Sequence, residues 1–278
     1  MTTPIAMTIA GTDSGGGAGV QADLKTFQEL GAFGTSTVTA VTAQNTNGVH
    51  GVQAIDTEII EKQLRAVMDD LQPTAAKTGM LFSTEIITTV ANCLNDYDIQ
   101  LVIDPVMIAK GGASLLQQEA IDALKTKLVP LATIITPNIP EAEVLADMDI
   151  QTEEDIEIAA QKIIDMGAQT VIIKGGHAKD PKFSEDYILT KGKSPYILQT
   201  PRIDTRHTHG TGCTFSAAIT AELAKGRSVD EAIETGKLFI QAAIQKGLGI
   251  GDEHGPTNHW AYNEIKDEVK KDLVRRDA

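Results

Sequence analysis

Short apolar runs alternate with stretches of helical period along most of the chain. This alternation limits the fold more tightly than any single motif. Residues 5–10, 36–41, 75–80, 101–107, 132–136 and 171–174 read as strands, several of them apolar on both faces. Runs of that kind are buried from both sides, as in a parallel sheet covered by helices. Helical patterns cover residues 18–30, 57–71, 83–94, 117–129, 152–166 and 229–246, a further helix is entered from the glycine-rich loop after Arg206 and runs through Ala224, and a charged helix is expected to run to Ala278. Strands joined through helices pair in parallel by right-handed crossovers. The expected fold is α/β: a single doubly wound domain over residues 1–278, with a mainly parallel central sheet and helices on both faces. Two edge strands are expected around the Lys191-Gly192 turn, at residues 187–189 and 195–199.

Composition narrows the function classes. The formal net charge of −14 repels nucleic-acid phosphates, so a general polynucleotide binder is not expected. Aromatic residues make up only 4% of the chain, too few for base-stacking platforms. No apolar run approaches the ~18 residues of a membrane span. Cysteines occur only at 93 and 213 and no signal peptide is evident, so a reducing cytoplasm is the expected compartment.

The stretch Arg206-His207-Thr208-His209-Gly210-Thr211-Gly212-Cys213-Thr214 starts polar, turns glycine-rich and becomes apolar through Ala224. It reads as a loop entering a helix, whose first amides are unpaired and bind anions. Cys213 lies at this positive end, where thiol pKa values fall. The bland alternative is a loop with Cys213 as a packing residue. Upstream, Gly11-Thr12-Asp13-Ser14-Gly15-Gly16-Gly17-Ala18-Gly19 follows the first strand, but no register gives the dinucleotide fingerprint. The loop instead lets a small substrate approach backbone.

Further candidates fall after other strands. Gln44 offers a donor and an acceptor on one amide, suited to an aminopyrimidine edge, or it serves only loop backbone. Lys77 is expected half exposed. Asp104 ends a buried strand where ligands of open α/β sheets bind. Residues 107–114, with Lys110, Gly111 and Gly112, suit a flap. Asn138 and Glu141 stand three apart at a helix start, so they form either a capping box or a hydrated Mg²⁺ site. An anion-binding helix start, an Asn/Glu pair and a strand-end carboxylate are the parts of phosphoryl transfer. No Walker A sequence is present.

In these residues the chain resembles the hydroxymethylpyrimidine/phosphomethylpyrimidine kinases, a ribokinase-like family. The resemblance runs through Ala10–Phe27, Thr39–Thr46, Lys77-Thr78-Gly79-Met80, Asp104-Pro105-Val106-Met107, Thr136–Ala142, Val171–His177 and His209–Ala218. It implies transfer of phosphate from ATP to an aminopyrimidine hydroxymethyl, then to the monophosphate, for thiamine biosynthesis. It implies that Gln44 reads the pyrimidine beside Gly11, Asp23, Met80, Val106 and Met107. It places Lys174 and Asn138 near ATP, and Mg²⁺ at Asn138, Glu141 and Asp104. Gly210, Thr211, Gly212 and Cys213 become an anion hole, with Cys213 standing where most of the superfamily has an aspartate base. A homodimer is also implied. Three alternatives are weighed beside it. Related pyridoxal kinases carry a flap cysteine where this chain has Ala109. A hydrolase could pair Cys213 with His207 or His209. A non-catalytic vitamin-binding protein would need none of these roles.

Overall fold

A computed structural model describes residues 3–107, 119–175 and 182–278. In chain order the strands are β1 (Ile5–Ala10), β2 (Phe33–Val38), β3 (Ala40–Asn45), β4 (Gly48–Ala54), β5 (Ala75–Thr78), β6 (Gln100–Ile103), β7 (Ile134–Ile135), β8 (Thr170–Lys174), β9 (Phe183–Thr190), β10 (Tyr196–Pro201) and β11 (Val274–Asp277). The α-helices are α1 (Gly19–Glu29), α2 (Thr57–Asp70), α3 (Thr84–Leu94), α4 (Ala120–Ala123), α5 (Ile139–Ala146), α6 (Glu153–Asp165), α7 (Thr211–Ala224), α8 (Val229–Gln245) and α9 (Ala261–Val269).

Among the described residues, nine strands form one sheet in the order β11-β10-β9-β8-β7-β6-β5-β1-β2. The pairs from β2 across to β8 are parallel, and β8, β9, β10 and β11 pair antiparallel. The chain runs from β1 outward to β2 and returns to β5 on the other side of β1. That reversal opens a crevice at the carboxyl ends of β1 and β5, where open α/β sheets bind ligands.

Alternation along the strands sorts the core into two layers. Met7, Ile9, Leu101, Ile103, Ile135 and Ile173 face one way, into a cluster with Ile60 and Leu64 of α2, Ile87 of α3 and Ile163 of α6. Val102, Ile134, Ile172 and Ile188 face the other way, onto Phe215 and Ile219 of α7. Every residue of α7 from Thr214 to Leu223 is buried. A helix apolar all round belongs in the middle of a packed layer, and α7 lies among the sheet, α1 and α8.

Several expectations are corrected. Residues 36–41 are not one strand, because the chain breaks at Thr39 between β2 and β3. The expected polar loop at 43–48 is the tip of a β3–β4 hairpin, with a register shift between Ala43 and Gln44. The exposure of β4 hid it, since a two-stranded flap buries little and none of its residues is buried. The helix expected at 117–129 begins outside the described residues. Its described part is α4, a wide π turn at Leu124–Leu128 and a 3-10 turn at Val129–Leu131. The chain does not end as a helix. After α9 it turns and forms β11, so β9 and β10 are interior and β11 is the edge. Arg275 and Arg276 on β11 meet Glu234 and Glu185 at the surface, and the strand pairs antiparallel with β10.

Candidate active site

One cavity of about 620 Å³ opens over the carboxyl ends of β1, β5, β6 and β8 and the start of α7. Its floor depends on two glycines with positive φ. Gly19 (φ +56) begins α1 against the carbonyl of Gly11, and Gly210 (φ +78) caps α7 against the carbonyl of Gly17. A Cβ at either would collide with those carbonyl oxygens, so only glycine lets the two loops close together. The Thr211 amide turns back onto the Thr208 carbonyl at 3.4 Å, and the first-turn residues Gly212 and Cys213 then line the cavity.

Asp13 is the organiser that the sequence reading passed over. Its carboxylate accepts from the Gly15 amide at 2.8 Å, Gly17 at 3.0 Å and Ala18 at 2.8 Å, and meets His209 Nε2 at 2.8 Å. Burial works against the charge, but His209 and these amides outweigh it and hold the carboxyl below its usual range. Asp followed by Ser-Gly is an Asx-turn signature, the signal that could have exposed it. His209 Nε2 also stands 3.4 Å from Gln44 Nε2. Gln44 thus sits on the cavity wall beside His209, with its backbone pinned by Ser14 Oγ at 2.7 Å and 2.6 Å.

The charged wall lies at β6 and β8. Lys174 Nζ donates to Asp104 Oδ1 at 3.2 Å. A Cβ on Gly212 would stand 3.3 Å from Asp104 Oδ2 and 3.5 Å from Lys174 Nζ, so the pair borders the start of α7. Asn138 and Glu141 form a full capping box on α5, at 2.9 Å and 2.8 Å. The capping alternative is therefore real. It does not consume the site, because Glu141 also lines the cavity and neighbours Lys174 and Asp104. Burial pushes the Glu141 carboxyl up to about 7, with Lys174 pulling it down and Asp104 pushing it further up. Burial also opposes the Lys174 charge, but Asp104 and Glu141 prevail and raise it.

Cys213 is half-buried at the cavity, and its Sγ accepts from the Gly19 amide at 3.4 Å. Its expected low pKa is corrected. Burial pushes the thiol up to about 12; Lys77 lowers it, Asp23 and Asp104 raise it, and the Gly19 amide lowers it. A helix start alone does not make a thiolate where burial opposes the charge and two carboxylates stand near. The hydrolase pairing is not formed either. His209 is taken by Asp13, and His207 packs against Gly247 and Gly255.

The structure brings together Gly11, Gln44, Met80, Asp104, Val106, Met107, Asn138, Glu141, Lys174 and residues 210–213 around this cavity. Asp23 is the exception. It is fully buried beneath the wall, bonded to Lys77 at 2.8 Å and Thr8 at 2.6 Å. Lys77, expected half exposed, has no exposed surface at all. The flap expected at 107–114 lies outside the described residues beyond Met107, as do Gly176 and His177. Asp186 and Lys237, paired at 2.7 Å on the far wall, were not foreseen. No three His, Cys, Asp or Glu side chains among the described residues form a metal cage. No described helix is long and apolar enough to cross a membrane.

A doubly wound sheet whose crevice combines a helix start, a strand-end Asp–Lys pair and a buried glutamate defines a small-molecule phosphotransferase of the ribokinase-like class. Residues 13–258 match the Phosphomethylpyrimidine kinase family, and the chain belongs to that family. It is 55% identical over 262 residues to the hydroxymethylpyrimidine/phosphomethylpyrimidine kinase of Haemophilus influenzae, covering 93% of this chain and 97% of that one. Among solved structures, the pyridoxal kinase of Staphylococcus aureus superposes with a TM-score of 0.91 at 38% identity over the whole of both chains. That kinase has been solved with AMP-PCP and pyridoxal. The phosphomethylpyrimidine kinase of Clostridium difficile gives a TM-score of 0.76 at 43% identity, covering 87% of this chain and all of that one.

Proposed function

We propose that the chain transfers phosphate from ATP to 4-amino-5-hydroxymethyl-2-methylpyrimidine, and then to the resulting monophosphate, within thiamine biosynthesis. The carrying observation is that the α7 start, the Asp104–Lys174 pair and Glu141 face one cavity that also holds Gln44 and Cys213. The pyrimidine lies between Gly11, Gln44, Met80, Val106 and Met107, with its hydroxymethyl toward Cys213. The amides of 210–213 and the Lys174 ammonium receive the transferred phosphoryl, where fixed donors act on charge as it develops. Asn138 flanks the ATP phosphates. The far wall, with Pro201, Ile203 and Ile240, offers the apolar surface that a nucleobase needs.

Asp104 and Glu141 are a fitting donor set for Mg²⁺, which is held by one or two carboxylates and substrate phosphates and keeps several waters. Mg²⁺ there would neutralise phosphate charge. The continuous sheet from β2 to β11 supports one kinase domain over residues 1–278. A cytoplasmic homodimer completes the proposal.

A second acceptor is favoured by one observation, the full-length superposition on a pyridoxal kinase. Mass spectrometry of products after incubation with Mg²⁺, ATP and either acceptor tests both readings. Pyrimidine monophosphate followed by diphosphate is the expected outcome. Phosphate on pyridoxal alone would transfer the chain to the second reading, and no phosphorylated product would overturn both.

A further inference from the structure

We propose that Asp13 and His209 are positioning residues that fix which way round Gln44 presents its amide, and through it which end of the pyrimidine meets the start of α7. This deepens the kinase reading and rests on it. Gln44 stands on the cavity wall between two polar neighbours. One end of its amide lies 3.4 Å from His209 Nε2 and the other 3.5 Å from Thr42 Oγ1. An amide has an oxygen that accepts and a nitrogen that donates, so its orientation follows from what the two neighbours need.

His209 needs an acceptor. Asp13 Oδ2 stands 2.8 Å from His209 Nε2 and also accepts from the Gly17 and Ala18 amides, while Oδ1 takes the Gly15 amide. His209 and the backbone amides hold that carboxyl ionised, and an ionised carboxylate only accepts. The proton in the contact therefore sits on His209 Nε2, whether the imidazole is neutral or charged. With the Gln44 nitrogen on that side two donors would meet head-on; exchanging the ends of the amide puts its oxygen there. Thr42 gives the same answer from the other end. Its hydroxyl proton goes to the Thr12 carbonyl at 2.7 Å, so its oxygen is left to accept. The Gln44 nitrogen belongs on that side. Both contacts are long and each is weak alone, but they agree in sign.

The direction of the bound ring follows. An aminopyrimidine shows Gln44 a donor, the 4-amino group, next to an acceptor, the ring nitrogen beside it. The amino group meets the amide oxygen on the His209 side, and the ring nitrogen meets the amide nitrogen on the Thr42 side. The carbon that bears the hydroxymethyl adjoins the carbon that bears the amino group, away from that ring nitrogen. The hydroxymethyl therefore lies at the His209 end of the site, and His209 directly precedes Gly210, the cap of α7. A reversed amide would turn the ring over and carry the hydroxymethyl away from the helix start.

Two acceptors separate the orientations in the full chain: the 4-amino pyrimidine alcohol and its 4-oxo analogue. The lactam of the analogue reverses the pattern, with an acceptor at the 4-position and a donor on the ring nitrogen. The readout is the ratio of their kcat/KM values, since a merely structural loss lowers both together. Wild type should prefer the amino acceptor by about 100-fold or more, because a site built for one hydrogen-bond pattern is left with unpaired groups by the other. His209→Leu frees the amide to turn, and the ratio should narrow by about tenfold, the worth of one or two neutral hydrogen bonds. Thr42→Val keeps the side-chain shape and leaves the Asp13 loop intact; it should narrow the ratio by about threefold. His209→Gln supplies two N–H groups on one nitrogen, for Asp13 and for Gln44, and should restore the wild-type ratio. KM for ATP should not change in any of them. If His209→Leu fails to fold, Thr42→Val and His209→Gln carry the measurement. Equal use of both acceptors by the wild type would overturn the inference. So would an unchanged ratio in Thr42→Val and His209→Leu with turnover retained, or a ratio in His209→Gln as narrow as in His209→Leu. No phosphorylation of the amino acceptor by the wild type would instead strike the kinase reading.

Discussion

Two lysine–aspartate pairs flank the same crevice, and they differ in what surrounds them. Lys77 and Asp23 meet at 2.8 Å with both side chains 0% exposed. Lys174 and Asp104 meet at 3.2 Å with 17% and 3% exposure, on the cavity wall. In the first pair both carboxylate oxygens are engaged and no surface is open to a ligand: Lys77 Nζ donates to one Asp23 oxygen and Thr8 Oγ1 to the other. In the second, Asp104 Oδ2 faces the Gly212 position and Lys174 has further donors for a ligand. A sealed pair fixes strands and helices in place. An open pair of the same residue types offers charge to whatever binds. Residue identity alone therefore does not divide scaffold from chemistry; the wall on which the pair opens does.

The largest expected effect tests the sealed pair. Lys77→Met strips Asp23 of its counter-ion in the interior, where burial already raises the carboxyl's pKa, and breaking a buried pair costs about 3–5 kcal/mol. Urea unfolding should register that loss. A change under ~1 kcal/mol, the size of an exposed ion pair, would show that water reaches the site and would end the contrast. Burial opposes the Lys77 ammonium, yet Asp23, Cys213 and Asp104 outweigh it and raise its pKa, so the lysine remains charged at neutral pH.

Next in size is the open pair. Lys174→Gln should lower kcat by roughly 10²–10³-fold, the usual cost of one preorganised donor to developing charge. Its unfolding free energy should drop less than that of Lys77→Met. A large stability loss with near-normal turnover would reverse the roles assigned to the two lysines.

The same contrast marks the boundary of what the sequence discloses. The alternation of apolar runs and helical periods was enough for the parallel sheet, its two helix layers and the crevice position. The glycines of 210–212 placed the α7 start. Lys77 was misjudged because a strand-end lysine and a central, sealed lysine have the same local sequence. Only the return of the chain to β5 beside β1, and the packing of α1, bring Asp23 over it. Asp13 and His209 lie 196 residues apart, and no local pattern links them. The hairpin of β3 and β4 and the closing strand β11 escaped because they are largely exposed, and amphipathic period is weakest where little is buried. Cys213 went wrong in sign. The helix start was legible, but the burial that opposes the thiolate, and the carboxylates of Asp23 on α1 and Asp104 after β6 that add to it, come only with the fold.

Glu141 tests the open side of the comparison with the smallest effects. Its folded carboxyl titrates at about 7, raised by burial ahead of the opposing pull of Lys174, against an unfolded value near ~4.3. The folded state therefore binds the proton more tightly. Its contribution is fully present below the unfolded pKa and is lost as pH rises through the folded one. Without metal, stability should fall between pH ~4.5 and ~7, at no more than ~1.4 kcal/mol per pH unit. Glu141→Gln cannot ionise and should flatten that part of the profile. It also exchanges a carboxylate of the capping box for an amide, a change worth ~1 kcal/mol at most. With Mg²⁺ and ATP present, the same variant should need roughly 10–100-fold more Mg²⁺ for half-maximal rate, as for other changes around a metal site. An unaltered Mg²⁺ response with a flattened pH profile would assign Glu141 to the cap of α5 alone. The open wall would then reduce to Lys174 and Asp104, and the metal would have to rest on Asp104 and the substrate phosphates.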